Sequence, residues 1–420
     1  LNTITELEQS WGAAFSIPAS NWFNDLTRSM KLKFCNWRLA RQPAIWRLLE
    51  LYEGHLKHRS QSLSRLLQVR IRHYLEDALR SHHDDIKQLN RATRARTSAT
   101  QDRYFEQVDF SVILRTLPVW MVDSSSVYRV LPLEPELFDV VLIDEATHCD
   151  PASCLPVIQR AKRVVVTGDP RQLRHFSFLS RARQSAIAAR HGVDEETRSL
   201  YDYREKSLLD LAMDSTQGHG QIVFLDEHFR SRPHIIDFSN KRFYGGDLKV
   251  MTWRPGTNAG QCLFVHPTGG TRNPDGANPI EANALVGNLC QWIEREEKLG
   301  RDVSHTVGII SPFRDQVELL RKLLSERLEL EILERHDVLV STPYGFQGQE
   351  RDVVFISFAV DAETSGTSLR YLNRPDVFNV AITRARDRQD LFVSVAAKDL
   401  PRESLLRAYL ESAETPPLAS

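Results

Sequence analysis

A chain of 420 residues is too long for a single compact core, so two or three domains are expected. Its 41% hydrophobic and 26% charged residues are those of an ordinary soluble protein, and no apolar run of about 18 residues, signal peptide or lipidation signal stands in it; a cytoplasmic protein without a membrane partner is the expectation. The net charge of −1 hides an asymmetry, because residues 28–97 carry 16 Lys+Arg against 6 Asp+Glu and the remainder is acidic. Such a basic stretch fits a polyanion held at one part of the molecule, or a solvated helical surface. Five cysteines, with no CxxC pair, argue against a disulfide framework or a structural zinc site. Cys149 and Cys154 read as small buried hydrophobes. The first residue is Leu1 rather than Met, which is expected of numbering that begins inside a longer polypeptide or of a removed start.

From about residue 20 to 97 the pattern is helical. Leu63, Leu66, Leu67, Ile71, Leu75, Ala78, Leu79, Ile86 and Leu89 recur three and four apart with Arg, His and Gln between them, and Pro43 and Gly54 are the expected breaks. A long helical pair or small bundle is the simplest arrangement. After Val108 short apolar runs alternate with helical stretches. The runs are Phe138–Ile143, Arg163–Thr167, Gln221–Leu225, Thr306–Ile310, Asp337–Ser341, Val353–Phe358 and Leu391–Val395. Near-continuous apolar strands separated by helices imply α/β architecture, with parallel sheets covered on both faces. Residues 254–260 and 267–279, rich in Gly, Pro and Asn, read as surface loops.

In chain order, the first chemistry-bearing run is FDVVLIDEATHCD, residues 138–150. An apolar strand there delivers Asp144 and Glu145 to its carboxyl end, the edge at which open α/β sheets bind ligands. Adjacent carboxylates at that edge suit nucleotide hydrolysis, one holding Mg²⁺ and the next polarising the attacking water. The second run is RVVVTGDPRQL, residues 163–173, a strand entering a Gly-Asp-Pro turn about twenty residues later. Parallel pairing of the two would place Asp169 and Gln172 beside the carboxylates, and a glutamine can donate to a phosphate oxygen while accepting from water.

IDEATHCD and GDPRQLRH resemble motifs II and III of superfamily 1 helicases, in the branch typified by the nonsense-mediated-decay helicase and including bacterial-type AAA ATPases. Further segments then follow in the family's order. LDEHFRSRPHIIDFSNKRFYGG (225–246) resembles the opening of the second RecA-like domain, and VGIISPFRDQ (307–316) resembles motif IV. STPYGFQGQERDVVFIS (341–357) resembles motif V, and NVAITRARD (379–387) motif VI. The resemblance covers roughly residues 108–398.

The resemblance implies roles residue by residue. Asp144 would hold Mg²⁺, Glu145 would be the general base, and Gln172 would sense the γ-phosphate, with Gly168 and Asp169 shaping the nucleotide-binding turn. Phe229 stands where the family sets an aromatic ring against adenine. Arg230 and Arg384 match the two arginines that reach the transferring phosphoryl group across the cleft. Glu350 matches the carboxylate that bonds ribose, with Gly348 keeping the backbone close. Arg386 is expected to be a neighbouring surface residue rather than a third finger, His148 stands where the family has Gln, and His175 is expected to be structural. Ser311, Pro312, Phe313, Thr342 and Tyr344 would lie along a single strand of nucleic acid, hydroxyls and amides on phosphates and aromatics on bases. The basic helical segment would add sequence-independent grip.

None of the 19 glycines is followed by Lys, so the sequence contains no G-x-x-x-x-G-K-[ST] phosphate-binding loop. Three readings follow. A preceding segment of the same protein carries the loop, or another chain supplies it, or the protein is an inactive helicase-like module that binds nucleic acid or acts as a scaffold. Retention of Glu145, Gln172, Arg230 and Arg384 favours the first. The expected organisation is a basic helical insertion over 1–107, an incomplete RecA-like domain over 108–217, a second RecA-like domain over 218–400, and a tail over 401–420. The expected function is an ATP- and Mg²⁺-dependent helicase or translocase on single-stranded DNA or RNA. Movement 5′-to-3′ is implied by the resemblance alone, and this chain by itself is expected to be inactive.

Overall fold

The computed structural model describes residues 30–31, 33–35, 37–38, 43–175, 177–216, 220–252, 261–298 and 304–414. The expected loop at 254–260, the amino-terminal stretch through residue 29 and the end of the tail lie outside the described residues. The chain divides into two compact units, one reaching to Leu133 and one running from Glu134 to Ala419. Among the described residues no helix is long and apolar enough to cross a membrane.

The first unit is helical. Helix α1 (Pro43–Ser81) has 39 residues and is therefore about 58 Å long. Pro43 opens it, where the missing N–H costs nothing. Gly54, expected as a break, lies inside the helix with open space around it; one glycine costs about 1 kcal/mol relative to alanine, too little to stop a helix of this length. Helix α2 (His83–Arg94) sets Asp84 and Asp85 in its first turn and Arg91 and Arg94 in its last, in register with the helix dipole. Thr97 caps α3 (Ser98–Phe105) and Asp109 caps α4 (Phe110–Thr116), each accepting a backbone N–H. Ala78, Ala92, Phe105, Phe110 and Ile113 are buried, whereas Leu49, Leu56, Leu63, Leu66 and Leu67 of α1 are exposed.

The second unit has the expected α/β build with parallel sheets. Strand β1 (Val141–Ile143) pairs in parallel with β2 (Val164–Val166), Val141 opposite Val164. The crossover is α5 (Pro151–Gln159), started by Asp150, whose carboxylate accepts the amide of Ser153 at 2.9 Å, and by Pro151 in the first turn. Cys154, Leu208 and Leu209 of α5 and α6 (Leu208–Thr216) cover one face with Ile143 and Ala146. The other face is open: Leu142 is 71% exposed. Short strands β3 (Glu227–His228) and β4 (Lys249–Val250) form a second parallel pair.

The main sheet has five parallel strands in the order β5-β9-β8-β6-β7. These are β5 (Leu263–Pro267), β6 (Val307–Ile310), β7 (Leu339–Ser341), β8 (Arg351–Ser357) and β9 (Ala385–Val393). Every residue of β6 is buried, as a strand covered on both faces requires. Helices α8 (Pro279–Lys298) and α9 (Arg314–Arg327) pack on one face through Leu285, Leu289, Leu320 and Leu324. Helices α7 (Pro233–Phe243) and α10 (Pro375–Ile382) cover the other with Ile235, Phe378 and Ile382.

Two expectations are corrected. Gln221–Leu225 is not a strand: it runs outside any sheet, with Val223 and Leu225 77% and 83% exposed. Its apolar letters match a buried strand, but no neighbouring edge receives them. Conversely β5 falls outside the runs read as strands, because Pro267 closes it and it lies at a sheet edge, where a missing N–H is tolerated.

Candidate active site

The parallel pairing of β1 and β2 brings two strand ends together. Ala146 N–H donates to the carbonyl of Thr167 at 2.9 Å, and Thr167 N–H donates to Ile143 at 2.8 Å, carrying the ladder past the strands. Asp144 therefore faces Thr167. Its Oδ1 accepts the Thr167 hydroxyl and, at 2.9 Å, the amide of Glu145. Glu145 adopts a left-handed backbone, φ +51°, which is costly for a residue with a Cβ and concentrates at functional positions. Both carboxylates open to solvent. Gly168 follows Thr167, and here glycine is demanded by close approach: a Cβ would stand 3.1 Å from Leu209 Cδ2 and 3.3 Å from Ala146 N.

The turn after Gly168 orients Gln172. Asp169 Oδ1 accepts the amide of Arg171 at 2.9 Å and Oδ2 accepts the Gln172 side-chain amide at 3.0 Å. That leaves the Gln172 carbonyl oxygen facing outward, where it accepts from Arg384 at 3.0 Å. Arg384 is 1% exposed, and its Nε also donates to the Val380 carbonyl at 3.1 Å. Burial pushes its pKa down to about 10, and the like charge of Arg230 adds to the effect; it stays cationic at neutral pH. Arg230 is engaged elsewhere, on the carboxylate of Glu350, which Arg386 also pairs with. Burial pushes the Glu350 carboxyl up, but the two guanidinium groups outweigh it and hold the pKa below the ordinary value.

Phe229 presents a ring that is 67% exposed at the end of β3. Beside it His228 accepts the Ser231 amide at 2.9 Å, and burial drives its pKa down to about 4, so it is neutral at pH 7. Gly348 holds φ +70°, where a side chain would strain the turn before Glu350.

Of the residues assigned to nucleic acid, Ser311 and Pro312 are buried, and Ser311 donates its amide to the Ser341 carbonyl at 3.2 Å. Phe313 is half-buried, packed against the main core, with the guanidinium of Arg272 4.0 Å from its ring centre and Tyr371 6.3 Å away. Thr342 precedes the short 3-10 turn Pro343–Phe346 and accepts the Gly345 amide with its carbonyl at 3.0 Å. Tyr344, in that turn, packs with Tyr371 on a small apolar cluster of Leu173, Val377 and Val380. Leu173 thus ties the Asp169 turn to α10.

Several residues here were not singled out from the sequence. Thr167 anchors Asp144, and Gln347 reaches Glu145 Oε2 at 3.5 Å. Tyr244 donates to Asp169 Oδ2 at 2.7 Å, and Asn379 donates to both the Arg171 carbonyl and the Tyr244 hydroxyl at 3.0 Å. All four lie inside the motif segments quoted above, which was the only signal available. Arg386, read as a neighbour, touches Glu350 and approaches Asp352 at 3.7 Å. His175 bonds the Tyr203 carbonyl at 2.7 Å.

No group of three or more His, Cys, Asp or Glu among the described residues could cage a metal ion. A cation such as Mg²⁺, which takes one or two carboxylates and completes its shell with water and phosphate oxygens, needs no cage; the solvent-open Asp144 carboxylate, anchored on one oxygen only, fits that demand.

Two family models, both described as AAA domain, match residues 47–177 and 204–394 and together take in most of the chain. Among curated relatives, the Uncharacterized ATP-dependent helicase MG140 homolog of Mycoplasma pneumoniae is 24% identical over 92% of this chain and 36% of its own length. The Probable helicase MAGATAMA 3 of Arabidopsis thaliana is 28% identical over 66% of this chain and 32% of its own length. Helicase SEN1 of Saccharomyces cerevisiae is 27% identical over 69% of this chain and 12% of its own length. The chain thus spans about a third or less of the length of these relatives. By these two domain models and these helicase relatives the chain belongs to the superfamily 1 helicases, in the AAA-domain branch typified by the nonsense-mediated-decay helicase.

Proposed function

We propose that the protein is the motor part of an ATP-hydrolysing helicase or translocase that moves along single-stranded DNA or RNA. The observation that carries this reading is the hydrogen bond between Arg384 and Gln172, which joins the second sheet's arginine to the turn beside the Asp144–Glu145 pair. An arginine, a glutamine and two carboxylates facing one space form a phosphoryl-transfer constellation with little other chemical use. Asp144 would hold Mg²⁺, which supplies charge neutralisation on the phosphate oxygens. Glu145 takes the proton of the attacking water, and Gln172 orients that water with its amide. Arg384 stabilises charge on the transferring group; Arg230, on its release from Glu350, adds a second cation. Phe229 stacks on the base and Glu350 reaches the ribose.

The organisation we assign is a helical insertion over 1–107 and RecA-like domains over 108–217 and 218–400. The phosphate-binding loop belongs, on this reading, to a segment that precedes residue 1. Support comes from the two-stranded β1–β2 sheet, whose edges could take further strands and whose open face a helix would cover, and from the exposed apolar run Ile222–Leu225. The 5′-to-3′ direction rests on the family resemblance, and a cytoplasmic site of action is supported by the five free cysteines.

The test is steady-state ATP hydrolysis by the natural full-length polypeptide, with and without single-stranded DNA or RNA, beside Glu145→Gln. Strand-stimulated turnover that disappears in the variant is the expected result. Binding of single strands with no turnover in the wild type would instead make the protein a nucleic-acid-binding module with an inactive motor.

A further inference from the structure

Tyr244 and Asn379 lie outside the reacting groups just described, yet they bond to the elements that position two of them. Tyr244 ends α7 and its hydroxyl donates to Asp169 Oδ2 at 2.7 Å. The same carboxylate oxygen accepts from the side chain of Gln172. Asn379 sits on α10, fully buried, five residues before Arg384. Its side-chain amide donates at 3.0 Å to the Tyr244 hydroxyl and at 3.0 Å to the Arg171 carbonyl, and its oxygen accepts from Ser239 at 2.5 Å.

These bonds close a ring. It runs from Asp169 to Gln172, from Gln172 to Arg384, back along α10 to Asn379, and through Tyr244 to Asp169 again. Every polar atom in it has a determined role. Asp169 is an acceptor only, so Tyr244 and the Gln172 amide nitrogen must both be donors. That fixes the flip of Gln172 and turns its oxygen to the arginine. Asn379 is likewise fixed, since its nitrogen must face the Arg171 carbonyl. Burial, reinforced by the Asp169 charge, pushes the Tyr244 hydroxyl well above the usual phenol range, so it remains a donor at any working pH.

We infer that Tyr244 and Asn379 are positioning residues that clamp the Asp169 turn to α10, just beyond whose end Arg384 stands with its Nε on the Val380 carbonyl, so that Gln172 and Arg384 engage and disengage together. The inference rests on the function proposed above and deepens it. Neither residue would touch nucleotide; each acts through Asp169, Arg171 and α10, the helix that leads into Arg384. Cleft opening would then break the ring as a unit rather than bond by bond, since the loss of one member leaves buried polar partners unpaired.

Two measurements test it. In the 420-residue chain, Tyr244→Phe keeps the ring packing and removes only the hydroxyl; hydrogen exchange at the amides of Asp169, Arg171, Gln172 and Leu173 is expected to rise about tenfold, the size of one net buried hydrogen bond, with the β6–β8 amides unchanged. In the natural full-length polypeptide the same variant is expected to lower kcat about ten- to a hundredfold with KM for ATP nearly unchanged, because misplacement acts on the transition state rather than on nucleotide binding. A purely packing role for Tyr244 would move neither reading, since phenylalanine preserves the packing. Unchanged exchange overturns the clamp, as does unchanged kcat in a wild type that hydrolyses ATP. A wild type without ATP turnover whose local exchange still rises in Tyr244→Phe sinks the motor reading and leaves the clamp standing.

Discussion

The guanidinium of Arg230 closes on the carboxylate of Glu350, while Arg384, the other arginine of the cleft, holds Gln172. The two cations therefore have different partners: Arg384 lies against the turn beside Asp144 and Glu145, and Arg230 is held by Glu350. Arg230→Ala and Arg384→Ala in the full-length polypeptide are each expected to lower kcat by about 10³–10⁵. Glu350→Gln, which releases Arg230, is expected to raise KM for ATP more than it lowers kcat. Phosphate-release kinetics on the three variants separate these effects. A loss under about tenfold for Arg230→Ala would make that arginine a structural partner of Glu350 only.

Phe313 carries the clearest expectation about nucleic acid. Its ring is half-buried, packed on the main core with Arg272 over one face, whereas Ser311 and Pro312 are buried. Phe313→Ala should weaken single-stranded DNA binding by about 1–3 kcal/mol, the range for one base stacked on one aromatic ring. Fluorescence anisotropy with an oligothymidylate at fixed salt measures it; Ser311→Ala, as a control, should leave affinity nearly unchanged.

Glu281 makes stability depend on pH. It is buried in the first turn of α8 and accepts from the hydroxyls of Ser357 and Ser394 and the amide of Ala359, each at 2.7 Å. Burial nonetheless dominates these donors and pushes its pKa from 4.5 up to about 7. Below the lower value both folded and unfolded chains carry the proton, and no differential exists. Between about 4.5 and about 7 the unfolded chain loses its proton first, so this group's contribution falls as pH rises; above 7 the deficit is constant. The full swing is on the order of 3 kcal/mol. Urea unfolding of the wild type and Glu281→Gln between pH 4 and pH 8 isolates the effect, because the other carboxylates are common to both. The expected result is a wild type that loses ground to the variant as pH rises; parallel curves would mean that Glu281 ionises normally.

Leu173 joins the Asp169 turn to Val377 and Val380 of α10 with no exposed surface. Leu173→Ala is expected to destabilise the chain by about 2–5 kcal/mol, the range for a cavity left by a buried leucine. Denaturant melts of the chain give the value directly. Under about 1 kcal/mol would mean the site collapses around the smaller side chain.

The α/β class and its parallel strands were legible because β6, β8 from Val353 onward and the Leu391–Val393 end of β9 are buried on both faces and write themselves as apolar runs. Asp144 and Asp169 stood out because each lies just past an apolar run. Gln221–Leu225 misled for the same reason: the residues carry a strand's composition, but a strand also needs an edge to pair with, and composition does not report edges. Tyr244 and Asn379 could not be separated from their neighbours, because one aromatic at a helix end and one amide inside an apolar helix are equally at home as plain packing. Their meaning comes only from reaching Asp169 and Arg171 across 75 and 208 residues of chain.

Glu145 sits with its backbone in the left-handed region, and its amide is held there by Asp144 whatever side chain it bears. A glycine at that position would keep the backbone bond and remove the Cβ clash, for a net gain of roughly 0.5–1 kcal/mol. Selection for heat resistance alone should therefore enrich Glu145→Gly, a chain that melts later and, on the function proposed above, can no longer activate water. At this residue an evolving population would have to choose between a sturdier molecule and a working one.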